Sequence, residues 1–398
     1  MNKKPPKAYN VPRWVFMNIH IKIASFLLVF ALVIPFFALF ASADSTALGS
    51  ISARSACLIE AESQRVIYSK SSSTQMPMAS TTKIMTAIIA LESGISLDFE
   101  VNVSPKAVGI EGSSAYLKNG EKVKFEVLLY ALMLSSANDA AVAIAIAVSG
   151  SVEDFVALMN EKAQALGLSN THFTNPHGLY DENHYTSALD LARLMAYAMN
   201  DSVFAQITAT QKKAFSRDDG TSFLFTNHNR LLKTYDGVIG GKTGFTKKSG
   251  RCLVTSAERD GLLLIAVTLD APDDWNDHAK LYDFGFSSYE RVYFGAQNMK
   301  IPVISGEKSE INVSSRAFSM VLPKEHGEIC AKIYAPRFLF AGISKGEQLG
   351  KVIFLHDGQV IAASPLYADD DVAKIKYKFN LFDWLKDFLK DFLDKWKK

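Results

Sequence analysis

The stretch RCLVTSAERDGLLLIAVTLD, residues 251–270, contains two β-rich runs, 251–258 and 262–270, on either side of Asp260-Gly261. An Asp-Gly pair between runs of branched apolar residues is a strong hairpin signal, because both turn residues tolerate positive φ. The stretch therefore predicts two antiparallel strands joined by a tight turn.

Helical patterns precede this hairpin and predict a helix-rich first half. Apolar residues recur at helical spacing in five segments, residues 81–91, 124–134, 139–148, 152–166 and 187–200. Ser151 and Ser187 each stand three residues before an aspartate, the arrangement of a capped helix start. A second hairpin is predicted at 57–60 and 65–69. Helices together with antiparallel strands predict an α+β fold, with helices packed on one face or end of a sheet.

The character of the sequence changes near residue 293. From there to about 371 only short strands are predicted, with turn signals at Ser305-Gly306, Lys345-Gly346 and Asp357-Gly358. This region is predicted to form a small β-sandwich domain, residues 294–372. With residues 44–293 as the larger domain, the length of 398 residues fits two domains and two terminal segments.

The last segment, residues 373–398, predicts an amphipathic helix. Its apolar residues recur at helical spacing and its charges fill the other face; the apolar set is Leu381, Phe382, Trp384, Leu385, Phe388, Leu389, Phe392, Leu393 and Trp396. The charges forbid a membrane span, whereas a wide aromatic stripe with lysines leading in suits the plane of a membrane surface. The alternative is a terminal helix that docks on its own protein or on a partner.

The first 43 residues predict export. They carry five basic residues and no acid, a continuous apolar run at 23–40 broken only by Ser25 and Pro35, and then Ala41-Ser42-Ala43. This is the pattern of a secretory signal peptide with its cleavage site. Because the run approaches the length of a membrane span, an uncleaved signal anchor is the alternative. Both place the rest of the chain on the extracytoplasmic face of the membrane.

Composition excludes several classes. With 48% apolar and 21% charged residues, the chain is neither disordered nor collagen-like. A net charge of +2 gives no reason to expect nucleic acid as a partner. Cys57, Cys252 and Cys330 are too few for a disulfide framework and too scattered for zinc, so they are expected to be buried small residues. The eight histidines have no metal-ligand spacing, and no cofactor is expected.

Ser80-Thr81-Thr82-Lys83 is the first candidate for chemistry. A serine and a lysine three positions apart lie about one helical turn from each other, so the amine can meet the hydroxyl. A serine becomes a good nucleophile when a neighbouring base takes its proton, and lysine can do so only when burial or a nearby positive charge lowers its pKa. The motif alone is weak, since Ser305-Gly306-Glu307-Lys308 matches it by chance in the β-rich domain.

Two further motifs add candidates for chemistry to the Ser80–Lys83 pair. Ser136-Ala137-Asn138 stands at a break between predicted helices, where a hydroxyl and an amide can point into one cleft; alone, it reads more simply as a helix cap. Lys242-Thr243-Gly244, on a predicted edge strand, offers a positive charge, a hydroxyl for a carboxylate and close backbone approach. A phosphate loop is the rival interpretation of this segment, but its glycine spacing is one residue short.

In this order the three motifs resemble those of the D-alanyl-D-alanine carboxypeptidases, the low-molecular-mass penicillin-binding proteins. The resemblance extends over nearly the whole chain and includes the loops at 175–190 and 227–229. It implies a β-lactamase/transpeptidase-like domain, a peptidoglycan stem peptide ending in D-Ala-D-Ala as substrate, and acylation by β-lactam antibiotics. Ala137 stands where β-lactamases have aspartate, which argues against that branch. Phe245 stands where some relatives have histidine, with little consequence if only its backbone N–H serves.

The resemblance also implies a role for each residue. Ser80 would be the nucleophile, Lys83 its base and Ser136 the group that passes the proton to the leaving D-alanine. The remaining roles fall to Asn138 for holding the stem peptide, Lys242 for positive charge, Thr243 for the terminal carboxylate, Gly244 for close approach, and the N–H groups of Ser80 and Phe245 for the oxyanion. The residue that grips the carboxylate from the loop before the third motif is left open between His228 and Arg230.

Two rival functions are weighed against this one. A serine β-lactamase would use the same motifs but needs a deacylating glutamate in a Glu-x-x-x-Asn-type loop, which the sequence does not offer after the second motif. A non-catalytic wall-binding protein would release no D-alanine and would not depend on Lys83 or Lys242.

Overall fold

The computed structural model describes residues 48–217, 220–375 and 381–396. The predicted leader, residues 1–43, lies outside the described residues. Within them the helices are α1 Lys83–Glu92, α2 Phe125–Leu134, α3 Asn138–Ser149, α4 Val152–Ala165, α5 Ala188–Ala198, α6 Ser202–Ala209, α7 Leu231–Thr234, α8 Asp274–Ser288 and α9 Leu381–Trp396.

Seventeen strands accompany these helices in the described residues. They are β1 Ser55–Glu60, β2 Val66–Lys70, β3 Glu100–Asn102, β4 Lys122–Lys124, β5 Lys212–Ser216, β6 Ser222–Thr226, β7 Val238–Thr246, β8 Gly250–Arg259, β9 Leu262–Leu269, β10 Tyr289–Phe294, β11 Asn298–Ile304, β12 Glu310–Ser315, β13 Phe318–Pro323, β14 Ile329–Tyr334, β15 Leu339–Phe340, β16 Gln348–His356 and β17 Gln359–Ala368.

A five-stranded antiparallel sheet forms the centre of the larger domain, in the order β2-β1-β9-β8-β7. The β8–β9 hairpin turns at Asp260 and Gly261, whose φ angles are 50° and 74°, as the Asp-Gly signal predicts. Nearly every residue of β9 is buried, which requires cover on both faces of the sheet. α5 and α8 pack against β9 and supply that cover. The predicted α+β fold is confirmed.

The helical half has an alanine-rich centre. α2 is buried at nine of its ten residues, and α3 places Ala140, Ala141, Ala143 and Ala145 in the core, where small side chains allow neighbouring helices to approach closely. α4 and α5 begin at Ser151 and Ser187 as predicted, because each serine hydroxyl accepts the backbone N–H three residues on. This packing fixes the start of α3, which carries part of the site.

Residues 201–236 contain structure that the sequence analysis did not assign. Asp201 caps α6 by accepting from the backbone N–H groups of Val203 and Phe204. A β5–β6 hairpin and the short α7 follow. These elements lead directly into β7, the edge strand that carries Lys242.

The smaller domain is β-rich, as predicted. A six-stranded sheet in the order β14-β16-β17-β12-β11-β15 packs with the β10–β13 pair around a core that includes a Phe294–Phe318–Phe354 cluster. Asp357-Gly358 turns the β16–β17 hairpin with both residues at positive φ. Cys57 and Cys252 are buried, but Cys330, on edge strand β14, is exposed, so the expectation that it is a buried residue is wrong.

The terminal helix α9, Leu381–Trp396, lies within the predicted segment 373–398, of which residues 376–380 and 397–398 are outside the described residues. Several of its apolar side chains, Leu385, Phe388, Leu389 and Leu393, are between 40 and 58% exposed. Of the helices in the described part of the chain, none is by itself long and apolar enough to cross a membrane; α3 and α4 reach that length only as a pair bent by 85°.

Candidate active site

Ser80 lies on a single turn of 3-10 helix, Ala79–Thr82, which leads into α1 at Lys83. The helix therefore starts two residues later than the sequence predicts. Ala79 has a φ of 47°, a left-handed conformation that is unfavourable for a residue with a Cβ. Such strain persists only where the surrounding structure holds it, and here it lies next to the candidate nucleophile.

Lys83 is fully buried and its amine has three partners. Nζ lies 2.9 Å from Ser80 Oγ, 2.6 Å from Asn138 Oδ1 and 2.6 Å from the carbonyl oxygen of His177. The amide and carbonyl oxygens can only accept, so they take two N–H groups. The third position of the amine faces the Ser80 hydroxyl. When Lys83 is neutral, its lone pair is therefore directed at the proton of Ser80.

Burial makes that neutral form accessible. It lowers the pKa of Lys83 well below 10.5, the positive charge of Lys242 lowers it further, and the Asp139 carboxylate opposes both. Burial also lowers the pKa of Lys242, to about 7. The positive charge of Lys242 is one cause of the lowered pKa of Lys83, so a charged Lys242 favours the loss of the Lys83 proton. The singly protonated state that suits proton abstraction from Ser80 has a neutral Lys83 beside a charged Lys242.

Lys242 joins the second and third motifs. Its Nζ donates to Ser136 Oγ at 3.0 Å and to the carbonyl oxygen of Thr243 at 3.0 Å. Ser136 has a φ of 57°, a second strained residue at the site. As predicted, the lysine is on an edge strand, because β7 ends the five-stranded sheet.

Gly244 allows β7 to approach the turn Ala79–Thr82, hereafter the nucleophile turn because it contains the candidate nucleophile Ser80. A Cβ at this position would lie 3.0 Å from the backbone nitrogen of Ser80 and 3.1 Å from the carbonyl oxygen of Met78. Any side chain would push the strand and the turn apart. The residue type thus sets the distance between Ser80 and the strand that carries Thr243.

The loop at 175–179 supports Lys83 from the other side. Asn175 Oδ1 accepts from the backbone N–H of Gly178 at 2.7 Å, and Thr86 Oγ1 donates to the carbonyl oxygen of Pro176 at 2.6 Å. These bonds hold the His177 carbonyl against the amine. Gly178 has a φ of 89°, and a Cβ there would lie 2.0 Å from the carbonyl oxygen of Ala79.

A chain of hydrogen bonds through His184 connects residue 174, directly before this loop, to the nucleophile turn. The backbone N–H of Thr174 donates to His184 Nδ1 at 3.0 Å, so the neutral ring carries its proton on Nε2. Nε2–H then donates to Thr82 Oγ1 at 2.7 Å, and Thr82 Oγ1 donates to the carbonyl oxygen of Ala79 at 2.7 Å. Burial lowers the pKa of His184 to about 4, which keeps this arrangement neutral near pH 7.

An open cleft of about 360 Å³ gives access to the site. Its lining consists of Ser80, Ser113, Ser136, His228, Thr243, Gly244, Phe245, Arg251, Asp274 and Trp275. Lys83 and Lys242 are not part of this lining but are bonded to its Ser80 and Ser136, and Asn138 is bonded to Lys83. A larger cleft of about 590 Å³ is lined by none of the predicted site residues. The eight predicted residues therefore converge on one cleft, while their catalytic roles stay predictions.

The placement of Asn138 differs from its expected use. Its Oδ1 accepts from Lys83, and its Nδ2 donates to the carbonyl oxygen of Glu111 at 2.5 Å. It does not cap α3, for which Ala137 is the N-cap residue. Both ends of the amide are bonded within the protein, so the geometry supports a role in positioning Lys83; its contact with the stem peptide stays a prediction.

Asp139 is a site residue that the sequence analysis missed. Its buried carboxylate accepts from Ser114 Oγ at 2.6 Å and from the backbone N–H groups of Ala115 and Leu117 at 2.9 and 3.1 Å. These bonds fix the 111–117 loop, which contributes Ser113 to the cleft. The signal was an acidic residue directly after the second motif, which reads equally well as ordinary helix-start charge.

Arg251, Asp274 and Trp275 were also missed. Asp274 is the first residue of α8, and its carboxylate accepts from Arg251 Nε and Nη2 at 3.0 and 2.8 Å. Arg251 lies opposite Phe245 across the β7–β8 hairpin. Pairing the two strands about the 247–249 turn would have located it from the sequence. Of the two residues left open, His228 lines the cleft, whereas Arg230 lies 5.8 Å from the Trp275 ring centre.

A sequence family described as D-alanyl-D-alanine carboxypeptidase matches residues 41–273, and one described as the C-terminal domain of penicillin-binding protein 5 matches residues 286–374. D-alanyl-D-alanine carboxypeptidase DacF of Bacillus subtilis is 35% identical over 351 residues, which cover 84% of this chain and 90% of that protein. DacC of Escherichia coli is 31% identical, with 87% and 90% covered.

Solved structures agree with these matches. Penicillin-binding protein 5 of Haemophilus influenzae aligns with a TM-score of 0.70 and 29% identity, covering 82% of this chain and 98% of that one. The fold and these matches define the class as a serine peptidase, with a serine hydroxyl beside a buried lysine in its cleft. The chain belongs to the D-alanyl-D-alanine carboxypeptidase family.

Proposed function

We propose that this protein removes the terminal D-alanine from peptidoglycan stem pentapeptides through an acyl-enzyme on Ser80. The observation that carries the proposal is the 2.9 Å contact between Ser80 Oγ and Lys83 Nζ in a cleft that also contains Thr243. D-Ala-D-Ala carboxypeptidase activity is the activity in the names of the relatives reported above.

The first half of the reaction forms the acyl-enzyme. Ser80 Oγ attacks the carbonyl carbon of the penultimate D-alanine while neutral Lys83 takes the hydroxyl proton. The oxyanion is held by the backbone N–H groups of Ser80 and Phe245, and one such donor contributes about 10² to 10³ in rate in comparable sites. The C–N bond then breaks, and the departing amine receives a proton through Ser136, which is in contact with charged Lys242.

The second half restores the enzyme. Water attacks the ester carbon, its proton passes to the base, and the trimmed stem leaves with a new carboxylate. The balance is one peptide bond and one water consumed, and one D-alanine and one shortened stem released. No cofactor enters either half.

We further propose Arg251 as the group that holds the terminal carboxylate together with Thr243. Arg251 lines the cleft with Ser80, and its side chain is 42% exposed, so one face remains accessible to a ligand. Burial and the charge of Lys242 lower the pKa of His228, so that this ring is neutral near pH 7 and a weaker carboxylate partner. Arg230, over Trp275, is not part of the cleft lining.

The assay is D-alanine release from a synthetic pentapeptide, together with labelling by a fluorescent penicillin. Ser80→Ala should lose both signals, because Ser80 is the proposed nucleophile, whereas the Ser136 hydroxyl contacts Lys242, which in this proposal is charged and cannot take its proton. Ser305→Ala is the matched control, since Ser305 opens the chance Ser-x-x-Lys match and should keep both signals. A Ser80→Ala variant that still labels would contradict the proposal. Rapid turnover of a chromogenic cephalosporin by the wild type would favour a β-lactamase instead.

We also propose that the enzyme works at the extracytoplasmic face of the cytoplasmic membrane and binds it peripherally through α9. The support is the signal-like leader and the exposed apolar side chains of α9. Deleting residues 379–398 should move the protein to the soluble fraction once the leader is cleaved. If the truncated protein still sediments with membranes, the leader is the anchor.

A further inference from the structure

A cluster of exposed apolar side chains lies at one end of the smaller domain. Ile304, Phe338, Phe340 and Ile375, hereafter the Phe340 patch, are 43, 49, 68 and 41% exposed. The rings of Phe338 and Phe340 meet edge to face at 5.7 Å. Ile304 pairs with Phe340 across strands β11 and β15. The backbone N–H of Ile375 donates to the carbonyl oxygen of Ser305, the residue that follows Ile304.

The strand pattern explains why these side chains point outward. Val303 and Ala341, the neighbours of Ile304 and Phe340, are buried in the core of the domain. Alternation along a strand then directs Ile304 and Phe340 to the opposite face, where polar residues are expected. β15 is also the edge of its sheet. A contiguous apolar group at a sheet edge indicates an interaction surface rather than the scattered exposure normal for single residues.

Positive charge flanks the patch. Arg337 precedes Phe338, and Lys374 precedes Ile375. Among the described residues neither side chain has a carboxylate within ion-pair distance. Lys376 and Lys378 continue the basic run along the chain toward α9. An apolar group bordered by unpaired cations matches the chemistry of an anionic lipid surface.

We propose that the Phe340 patch is a second membrane-contact surface, which inserts its aromatic side chains among anionic phospholipids while α9 lies on the same bilayer. The inference rests on the membrane attachment proposed above. Six residue steps join Ile375 to Leu381, so at ~3.3–3.6 Å per residue the two surfaces start within about 20 Å of each other. Two contacts on one bilayer would fix the orientation of the smaller domain, and with it the direction in which the cleft faces the cell wall.

The experiment uses the full chain with a polarity-sensitive fluorophore on a single cysteine. Cys330→Ser removes the exposed native thiol, while Cys57 and Cys252 are buried. Phe340→Cys then places the label in the patch, and Leu224→Cys on β6 of the larger domain, where the native side chain is 69% exposed, is the matched control. Each protein is mixed with vesicles containing phosphatidylglycerol or with vesicles of phosphatidylcholine alone, and sedimentation is measured in parallel.

The expected result is sedimentation with the anionic vesicles and a blue shift of the label at position 340, with no comparable shift at position 224. Sedimentation without a shift at 340 overturns the patch contact and leaves the α9 attachment standing. A protein that does not sediment contradicts both. A blue shift at 340 before vesicles are added shows that α9, or a second copy if the shift fades on dilution, covers the patch instead.

A second pair of variants tests the energetics. Phe338→Ser combined with Phe340→Ser should weaken vesicle binding about tenfold or more, because two partly inserted aromatic rings are lost. Leu158→Ser combined with Leu224→Ser, two exposed leucines of the larger domain, should leave binding unchanged. Both proteins should label with fluorescent penicillin at the wild-type rate, which shows that the larger domain is folded. Equal vesicle binding by the two double variants would overturn the proposal.

Discussion

Replacing Gly178 by alanine should remove most of the acylation activity, although it substitutes no residue of the three motifs. The added Cβ would lie 2.0 Å from the carbonyl oxygen of Ala79 and 2.8 Å from Thr82 Oγ1. Since real contacts of a Cβ stay above 3.0 Å, the loop and the nucleophile turn must separate by about 1 Å. The adjacent His177 carbonyl, which accepts from Lys83 at 2.6 Å, moves with the loop.

The magnitude follows from that displacement. A misplacement of about 1 Å at a catalytic group costs roughly 10²-fold in rate. We therefore expect the second-order rate constant for labelling by a fluorescent penicillin to fall about a hundredfold. The φ of 89° adds a left-handed alanine, which costs about 1–2 kcal/mol of stability.

Gly94→Ala is a control that separates the loss of labelling rate from the loss of stability. Gly94 has a φ of 77°, and a Cβ there would meet nothing within 4 Å. This control should lose a similar 1–2 kcal/mol to left-handed strain, measured by thermal unfolding, and keep its labelling rate. The reasoning is refuted if Gly178→Ala labels within about threefold of the wild type, because that difference is below 1 kcal/mol in the barrier.

Three further predictions concern charge. Asp139→Asn removes the carboxylate that raises the pKa of Lys83, so the acid limb of the pH profile of acylation should move to lower pH; an unmoved or raised limb would contradict this. Arg251→Gln should raise KM for the D-Ala-D-Ala substrate roughly ten- to hundredfold with a smaller change in kcat, while Arg230→Gln should change neither. Lys242→Met should abolish activity but raise Tm at pH 7. In the unfolded chain Lys242 keeps its proton up to about pH 10, but in the folded protein only up to about pH 7, so the free energy of unfolding rises with pH between these two values. At pH 7, the lower end of this range, the buried amine destabilises the fold by roughly a few kcal/mol, and a methionine removes that destabilisation. A lower Tm would show that the two hydrogen bonds of Lys242 outweigh its burial.

The sequence predicts the parts of the fold that depend on local signals. Asp260-Gly261 and Asp357-Gly358 place two hairpins, and the serines at 151 and 187 place two helix starts, because each signal acts within four residues. The region 201–236 was missed, since its short α6 and β5–β6 hairpin are stabilised by contacts with distant segments. Cys330 was placed wrongly because edge-strand exposure depends on the order of strands in the sheet.

The candidate site also has parts that the sequence predicts and parts that it does not. Its three motifs could be read from residue type and spacing. The support around Lys83 could not, because the His177 carbonyl is a backbone group with no sequence signature. Arg251 and Asp274 were hidden for another reason: their ion pair joins residues 23 positions apart on a strand and a helix. Long-range pairs of common residue types carry no local pattern.

The central claim is that Ser80 is the hydroxyl made reactive by a neutral Lys83. Mass spectrometry of the protein after brief exposure to penicillin, followed by digestion, tests it most directly. The account predicts a single penicilloyl adduct on the peptide that contains Ser80, forming faster as the pH rises through the deprotonation of Lys83. An adduct on Ser136, or an intact protein with no adduct at all, would contradict it.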